Sequence, residues 1–269
     1  MKRIESRNNP TIKSINSLSS RREREEQGLF YFEGVHLLEE YVRAGYVPET
    51  VFVREDVTAR YSSLIENARC EVIEVTSSVY DKITDEKAPQ GIFTVSKLLP
   101  NVREIGKDVS YDKLPDAQNG NSIMLVDLQD VGNVGTVIRT AAALGCDVIL
   151  CGKCADVYSP KTVRATMGAL FTNNIFVCED TLSAIDSLKN GGKRVIAAAL
   201  TDKAEVLGGF EIQDGDCFAV GNEGNGLSDE VISRCDFASI IPMSGRTESL
   251  NAAMAATILL WEAKRGKIG

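Results

Sequence analysis

The chain lacks a hydrophobic run of bilayer length: no stretch of its 269 residues approaches the ~20 apolar positions needed to cross a membrane. The opening residues, Met1 to Asn9, contain no apolar segment of a signal peptide, so a cytoplasmic protein is expected. A disulfide framework is missing as well. Seven cysteines stand at positions 70, 146, 151, 154, 178, 217 and 235, an odd number without regular spacing, which predicts reduced thiols. Histidine is almost absent. Cys151-Gly152-Lys153-Cys154 has the form of half a zinc site or of a redox pair, but zinc wants a second pair or a nearby histidine, and the one histidine, His36, lies far back in the chain. The expectation is that Cys151 closes a buried strand and that no metal is bound. Excess basic charge is also lacking: 30 Lys and Arg against 38 Asp and Glu give a formal charge of −8, which argues against a surface coated for nucleic acid. There is no internal repeat and no low-complexity tract.

What is present is a globular composition, 43% hydrophobic and 25% charged. The length suits two domains of ordinary size. Charge is unevenly placed. Between Met1 and Arg24 stand Lys2, Arg3, Arg7, Lys13, Arg21, Arg22 and Arg24 against only Glu5 and Glu23, a candidate basic arm for phosphate contacts or else a solvated helix. Ile12, Ile15 and Leu18 recur at helical spacing. Short apolar strands at Leu29–Phe32, Val51–Val53, Val72–Val75 and Ile92–Val95 alternate with helices near 36–43, 61–68 and 79–83, which predicts a small α/β domain over 1–97. From 98 to 121 the pattern fails among Pro100, Gly106, Pro115 and Gly120, and this segment is read as a linker. A second α/β domain, 122–269, follows. Its strands (Ile123–Val126, Val148–Leu150, Ile175–Val177, Val195–Ala199, Phe218–Val220, Ile240–Ile241) are nearly continuous in apolar residues, so they predict a mostly parallel sheet buried between helices at about 133–145, 161–169, 181–189, 228–234 and 250–264.

Three segments of the second domain invite chemistry. Gly221-Asn222-Glu223-Gly224-Asn225-Gly226 follows a strand directly, where open α/β sheets bind ligands. Its spacing is neither that of a dinucleotide fold nor that of a phosphate-binding P-loop, and a simple turn gains nothing from Glu223 at its tip. The segment from Asp130 to Gly145 reads as a loop entering a helix at about 133–145, with Asn133 as N-cap and an apolar stripe of Val134, Val137, Ile138 and Ala141. Arg139, one turn after Gly135, is expected to lean over that bare glycine toward Asn133, as helical side chains do, and to bind an anion. The third segment ends a strand at Pro242 and enters a helix whose stripe is Leu250, Met254, Ile258 and Trp261. Ser249 is its candidate N-cap, and Asn251, a poor helix former, has no local reason to be there.

In order and wording these segments resemble the three motifs of the SpoU/TrmH family of RNA ribose 2′-O-methyltransferases, within the SPOUT superfamily: Asn133-x-Gly135-x-x-x-Arg139-Thr-Ala, Gly221-Asn-Glu-Gly-x-Gly-Leu227, and Ile241-Pro-Met … Ser249-Leu-Asn251. Phe32-Glu-Gly34-x-His-Leu-Leu-Glu39 more loosely resembles the family's N-terminal substrate-binding domain, which has the fold of ribosomal protein L30e.

The resemblance implies a trefoil-knotted C-terminal domain, S-adenosylmethionine as cofactor, an RNA substrate (ribosomal RNA favoured over tRNA), and a homodimer formed through the last helices. It implies cofactor contacts from Gly221, Ile241 and Leu250, with Leu200 and Met243 nearby. Asn133, Glu223, Ser249 and Asn251 would orient the ribose, and Arg139 would grip a phosphate or act as base, although a guanidinium is a poor base near neutrality. Lys161 and Arg164 are further phosphate candidates. A non-catalytic RNA-binding protein of this fold is the alternative from another class, and a nicotinamide oxidoreductase is disfavoured by the glycine spacing.

Overall fold

A computed structural model of the chain describes residues 1–106, 110–245 and 249–267. The residues fall into two compact units, Met1–Leu99 with Asp156–Phe171, and Pro100–Ala155 with Thr172–Gly269.

The first unit contains β1 (Lys2–Ile4), α1 (Pro10–Ser17), α2 (Arg21–Gln27), β2 (Leu29–Glu33), α3 (Val35–Arg43), β3 (Thr50–Arg54), α4 (Ser62–Asn67), β4 (Glu71–Val75), α5 (Ser77–Ile83) and β5 (Ile92–Lys97). Its five-stranded sheet runs β1-β4-β3-β5-β2. β1, β4 and β3 are parallel, and β5 is antiparallel to both of its neighbours. Ile12, Ile15 and Leu18, spaced for one helix face, are buried in a core with Phe52, Ile73, Tyr80 and Phe93.

The basic run expected as an arm is folded into this unit, because its cations are matched by local acids. Lys2 pairs with Glu71, Arg3 with Glu5, Glu55 and Glu74, Arg21 with Glu25, and Arg22 with Glu26. Arg24 is buried, donates to the carbonyls of Leu18 and Ser19, and forms an ion pair with Asp156. Arg7 and Lys13 alone of the seven have no acidic partner among the described residues.

The second unit opens with β6 (Val102–Ile105), β7 (Ser122–Val126), α6 (Val131–Leu144) and β8 (Asp147–Cys151). The chain then contributes α7 (Pro160–Ala165) to the first unit. There Tyr158 packs against Phe30, and Phe171 against Phe32 and Tyr41. Residues 156–171, expected within 122–269, find the partners of their aromatic rings and of Asp156 in the first unit. The second unit resumes with β9 (Ile175–Cys178), α8 (Thr181–Asn190), β10 (Val195–Ala198), β11 (Glu205–Val206), β12 (Cys217–Val220), α9 (Asp229–Arg234), β13 (Phe237–Ile240) and α10 (Ala252–Lys264).

Its eight strands are ordered β11-β13-β10-β12-β7-β8-β9-β6, and every pairing is parallel. β7 and β12 are buried along their whole length, which is why their apolar runs do not alternate. Three strands escape the sequence reading: β1, β6 and β11. All three are outermost in their sheets, where polar residues are tolerated and a buried run is not required. β6 also places a paired strand inside the segment read as a linker.

From β7 the chain steps through β8 and β9 on one side, then returns to build β12, β10 and β13 on the other. Such a reversal opens a crevice at the carboxyl ends of the strands. Over α6 packs α10. Its inner face is Ala252, Ala253, Ala256, Leu259, Leu260 and Ala263. The stripe Leu250, Met254, Ile258 and Trp261 is on the outer face, each residue at least 38% exposed.

Candidate active site

The loops after β7, β10, β12 and β13 leave neighbouring strand ends in the crevice. The α6 helix begins two residues earlier than expected. Asp130 is its N-cap, accepting from the Asn133 N–H at 2.7 Å, so Asn133 is not the cap. A residue in the first turn has its side chain free for other work, and Asn133 uses both ends of its amide. Its Nδ2 donates to Glu223 Oε1 at 2.7 Å, and its Oδ1 accepts from Asn251 Nδ2 at 3.1 Å.

Asn251 supplies the reason for this polarity. It is the N-cap of α10, in place of the expected Ser249, and its Oδ1 accepts from the N–H groups of Ala253 and Met254 at 2.9 and 3.2 Å. With its oxygen committed to the helix, only the amide nitrogen is left to face Asn133. Asn133 must then turn its oxygen to Asn251 and its nitrogen to the Glu223 carboxylate. One hydrogen-bonded chain, Asn251–Asn133–Glu223, thereby ties together all three motif segments. The supposed absence of a local reason for Asn251 is corrected: it caps and it relays. Glu223 is exposed, and its second oxygen has no partner among the described residues.

The glycine loop is held tightly. A β-carbon on Gly221 would lie 2.2 Å from the Gly226 carbonyl carbon, so the loop closes on itself at that point. Asn222 accepts from the Gly224 N–H with its side chain (2.8 Å) and from the Gly226 N–H with its carbonyl (2.9 Å). Spacing in the sequence assigns Asn222 no role; the structure makes it the brace of the loop.

Around the loop are apolar groups that the fold leaves open. Leu200 is 84% exposed, and Met243 and Leu250 are also exposed. Ile241 is half-buried and Ser249 is exposed. Arg139 is exposed and makes no hydrogen bond or ion pair among the described residues, whereas Val134, Val137, Ile138 and Ala141 on the same helix are buried. Of the further cations, Arg164 pairs with Glu86 within the first unit, and Lys161 is exposed. The Cys151–Cys154 turn is structural: Cys154 Sγ donates to the carbonyls of Leu125 and Cys151 at 3.3 Å, and burial pushes its thiol up to about 11. Among the described residues no cluster of three or more His, Cys, Asp or Glu side chains is placed to hold a metal, and no helix is long and apolar enough to cross a membrane.

The SpoU rRNA Methylase family model matches residues 120–261, which span every element of this site. The chain belongs to that family. A second model, the MRM3-like substrate binding domain, matches residues 9–94. Among SpoU relatives, the 23S rRNA (guanosine(2553)-2′-O)-methyltransferase RlmP of Bacillus subtilis is 32% identical over 97% of this chain and 98% of its own length. The crystal structure of an AdoMet-bound rRNA methyltransferase from Sinorhizobium meliloti superposes with a TM-score of 0.83 at 27% identity, covering 100% of this chain and 99% of that one. A structure concerned with 2-OH methylation of C/U34 on tRNA matches 54% of this chain and 94% of its own, at TM-score 0.50 and 30% identity.

Proposed function

We propose that the chain transfers a methyl group from S-adenosylmethionine to a ribose 2′-hydroxyl of 23S ribosomal RNA, acting in the cytoplasm as a homodimer. The observation that carries this reading is the Asn251–Asn133–Glu223 chain, which binds three distant motif segments into one site on the helix that also carries the exposed Arg139. The geometry of the loops fits the cofactor. Gly221 and Ile241, each following a strand, and Leu250, just before α10, offer backbone groups, and the exposed Leu200, Met243 and Leu250 are apolar surface that an adenosine would cover. When bound, the cofactor supplies an electrophilic methyl on a sulfonium.

The residues of the chain do the rest. Asn133 and Asn251 orient Glu223, whose free oxygen accepts from a ribose hydroxyl. Ser249, at the entry to α10, faces the same task of orientation. Arg139 leans toward the start of α6 and grips the phosphate beside the target ribose, which aligns the 2′-hydroxyl and favours its deprotonated form. With no acid paired to it among the described residues, its charge is available to the substrate.

Substrate RNA is held by the first unit. The structure concerned with tRNA methylation aligns with 54% of this chain, whereas the rRNA methyltransferase from Sinorhizobium meliloti aligns with all of it, which supports ribosomal RNA for an enzyme that carries the additional unit. The exposed stripe Met254, Ile258 and Trp261 supports the dimer, since it is apolar surface that a second copy would bury. A trefoil knot in the second unit belongs to the same reading.

The test is calorimetric titration of the purified chain with S-adenosylmethionine, followed by mapping of 2′-O-methyls on ribosomal RNA and tRNA from cells with and without the gene. Loss of one ribosomal methyl in the deletion strain is expected. Absence of binding heat would favour a non-catalytic RNA-binding protein, and loss of a tRNA methyl would overturn the ribosomal assignment.

A further inference from the structure

Beyond the residues of the three motifs, Asp127 stands out by its backbone. It is the first residue after β7, and its φ of +54° lies in the left-handed region that a residue with a β-carbon disfavours. Three hydrogen bonds hold it there, each to a different partner. Its N–H donates to the Cys151 carbonyl at 3.0 Å, at the end of β8. Its Oδ1 accepts from the Lys153 N–H at 2.6 Å, in the turn after β8. Its carbonyl accepts from Asn222 Nδ2 at 2.9 Å, in the glycine loop after β12.

The fit around the carboxylate is close. A β-carbon on Gly152 would come within 2.4 Å of Asp127 Oδ1, and Gly152 is itself at φ +67°. The CxxC turn is thus shaped to present one N–H to one carboxylate, with Cys154 Sγ closing its far side on the carbonyls of Cys151 and Leu125. On the opposite side, Asn222 reaches Asp127 with its amide nitrogen while its oxygen holds the Gly224 N–H. The left-handed turn matters because it aims the carbonyl of residue 127 across the sheet at Asn222; an extended residue would present its carbonyl elsewhere.

We propose that Asp127 is a positioning residue for the methyl-transfer site: its carboxylate, seated on the Lys153 N–H, fixes the left-handed turn that holds Asn222 and so sets the Glu223-bearing loop in register with Asn133. The role rests on the proposed function only for what the loop binds; the restraint on the loop stands without it. Asp127 touches neither cofactor nor RNA and acts through Asn222.

Two variants of the full chain separate carboxylate from backbone. Asp127→Gly keeps the left-handed turn at no steric cost and removes the acceptor, whereas Asp127→Asn keeps an Oδ1 acceptor on a residue that tolerates the turn. Amide hydrogen exchange across residues 221–227, measured without cofactor, is expected to quicken about 10-fold in Asp127→Gly and to stay within about 2-fold of the parent in Asp127→Asn. Calorimetric titration with S-adenosylmethionine should show the same split, about 10-fold weaker binding for the glycine variant and rescue by asparagine. In an Asn222→Ala background, Asp127→Gly should add less than about 2-fold, because its route to the loop is gone. Parent-like exchange in Asp127→Gly, failure of asparagine to rescue, or full additivity with Asn222→Ala overturns the proposal. If the exchange responds but the parent binds no S-adenosylmethionine, the methyl-transfer reading fails and the positioning role stands; if the parent binds and the loop is indifferent, the reverse holds.

Discussion

In the first unit most arginines of the N-terminal segment are answered by acids, whereas on the rim of the second unit Arg139 has none among the described residues. Arg3 touches three carboxylates, Arg21 and Arg22 each have a glutamate one turn on, and Arg24 is buried against Asp156. These pairs do different amounts for the fold. Exposed pairs contribute little, about 0.2–1 kcal/mol each. Breaking a buried one leaves an uncompensated charge and costs several times more. Arg139 is the opposite case: an exposed cation on a helix whose inner face is filled, with no partner among the described residues. The difference teaches that a basic cluster in sequence is poor evidence for an RNA surface, and that an unpaired cation among fixed polar groups is better evidence.

The largest effect should come from Arg24. Arg24→Ala strands Asp156 and the carbonyls of Leu18 and Ser19, and is expected to cost about 3–5 kcal/mol in denaturant unfolding. A change below about 1 kcal/mol would remove the pair as the tie between residues 1–99 and 156–171. Next, Arg139→Ala should leave the melting temperature unchanged, since the side chain is exposed and bonds to none of the described residues, while lowering kcat about 10²–10³-fold. Arg139→Lys should recover little if the grip on phosphate is bidentate, and near-normal turnover would defeat that idea.

Asn251 bridges the two categories, being both a helix cap and a relay. Asn251→Ala is expected to cost about 1 kcal/mol of stability along with activity. Asn251→Asp keeps the cap, so stability should persist while activity falls about 10-fold, because a carboxylate cannot donate to Asn133 Oδ1. Parent-like activity in Asn251→Asp would show the relay to be idle. The smallest effect belongs to the N-terminal segment. Replacing Arg21 and Arg22 with Gln should leave the salt dependence of RNA binding unaltered, whereas Arg7→Gln with Lys13→Gln should flatten it by no more than about 2 in the log–log slope.

Much of the second unit could be read in advance because its strands are buried on both faces and so spell continuous apolar runs, as at Ile123–Val126 and Phe218–Val220. The strands that escaped were edge strands, where Lys2-Arg3-Ile4 and Val102-Arg103-Glu104-Ile105 carry no such signature. Motif residues were legible as types and order but not as contacts. Asn133 read as a cap because capping is the commonest use of asparagine before a helix, yet Asp130 three residues earlier takes that role. Part of the third motif, residues 246–248, lies outside the described residues.

By itself the sequence determined the class of sheet, the order of the motifs and the identity of the polar groups offered, since these follow from periodicity and residue type. Only the tertiary structure decided which polar groups are used up. The pairing of Arg24 with Asp156 spans 132 positions, the two bonds of the amide relay from Asn251 through Asn133 to Glu223 span 118 and 90, and the bond from Asn222 to the left-handed turn at Asp127 spans 95. Hydrogen-bond polarity is settled by whichever partner is already committed, and that commitment becomes visible only when the distant segments have been brought to the same strand ends.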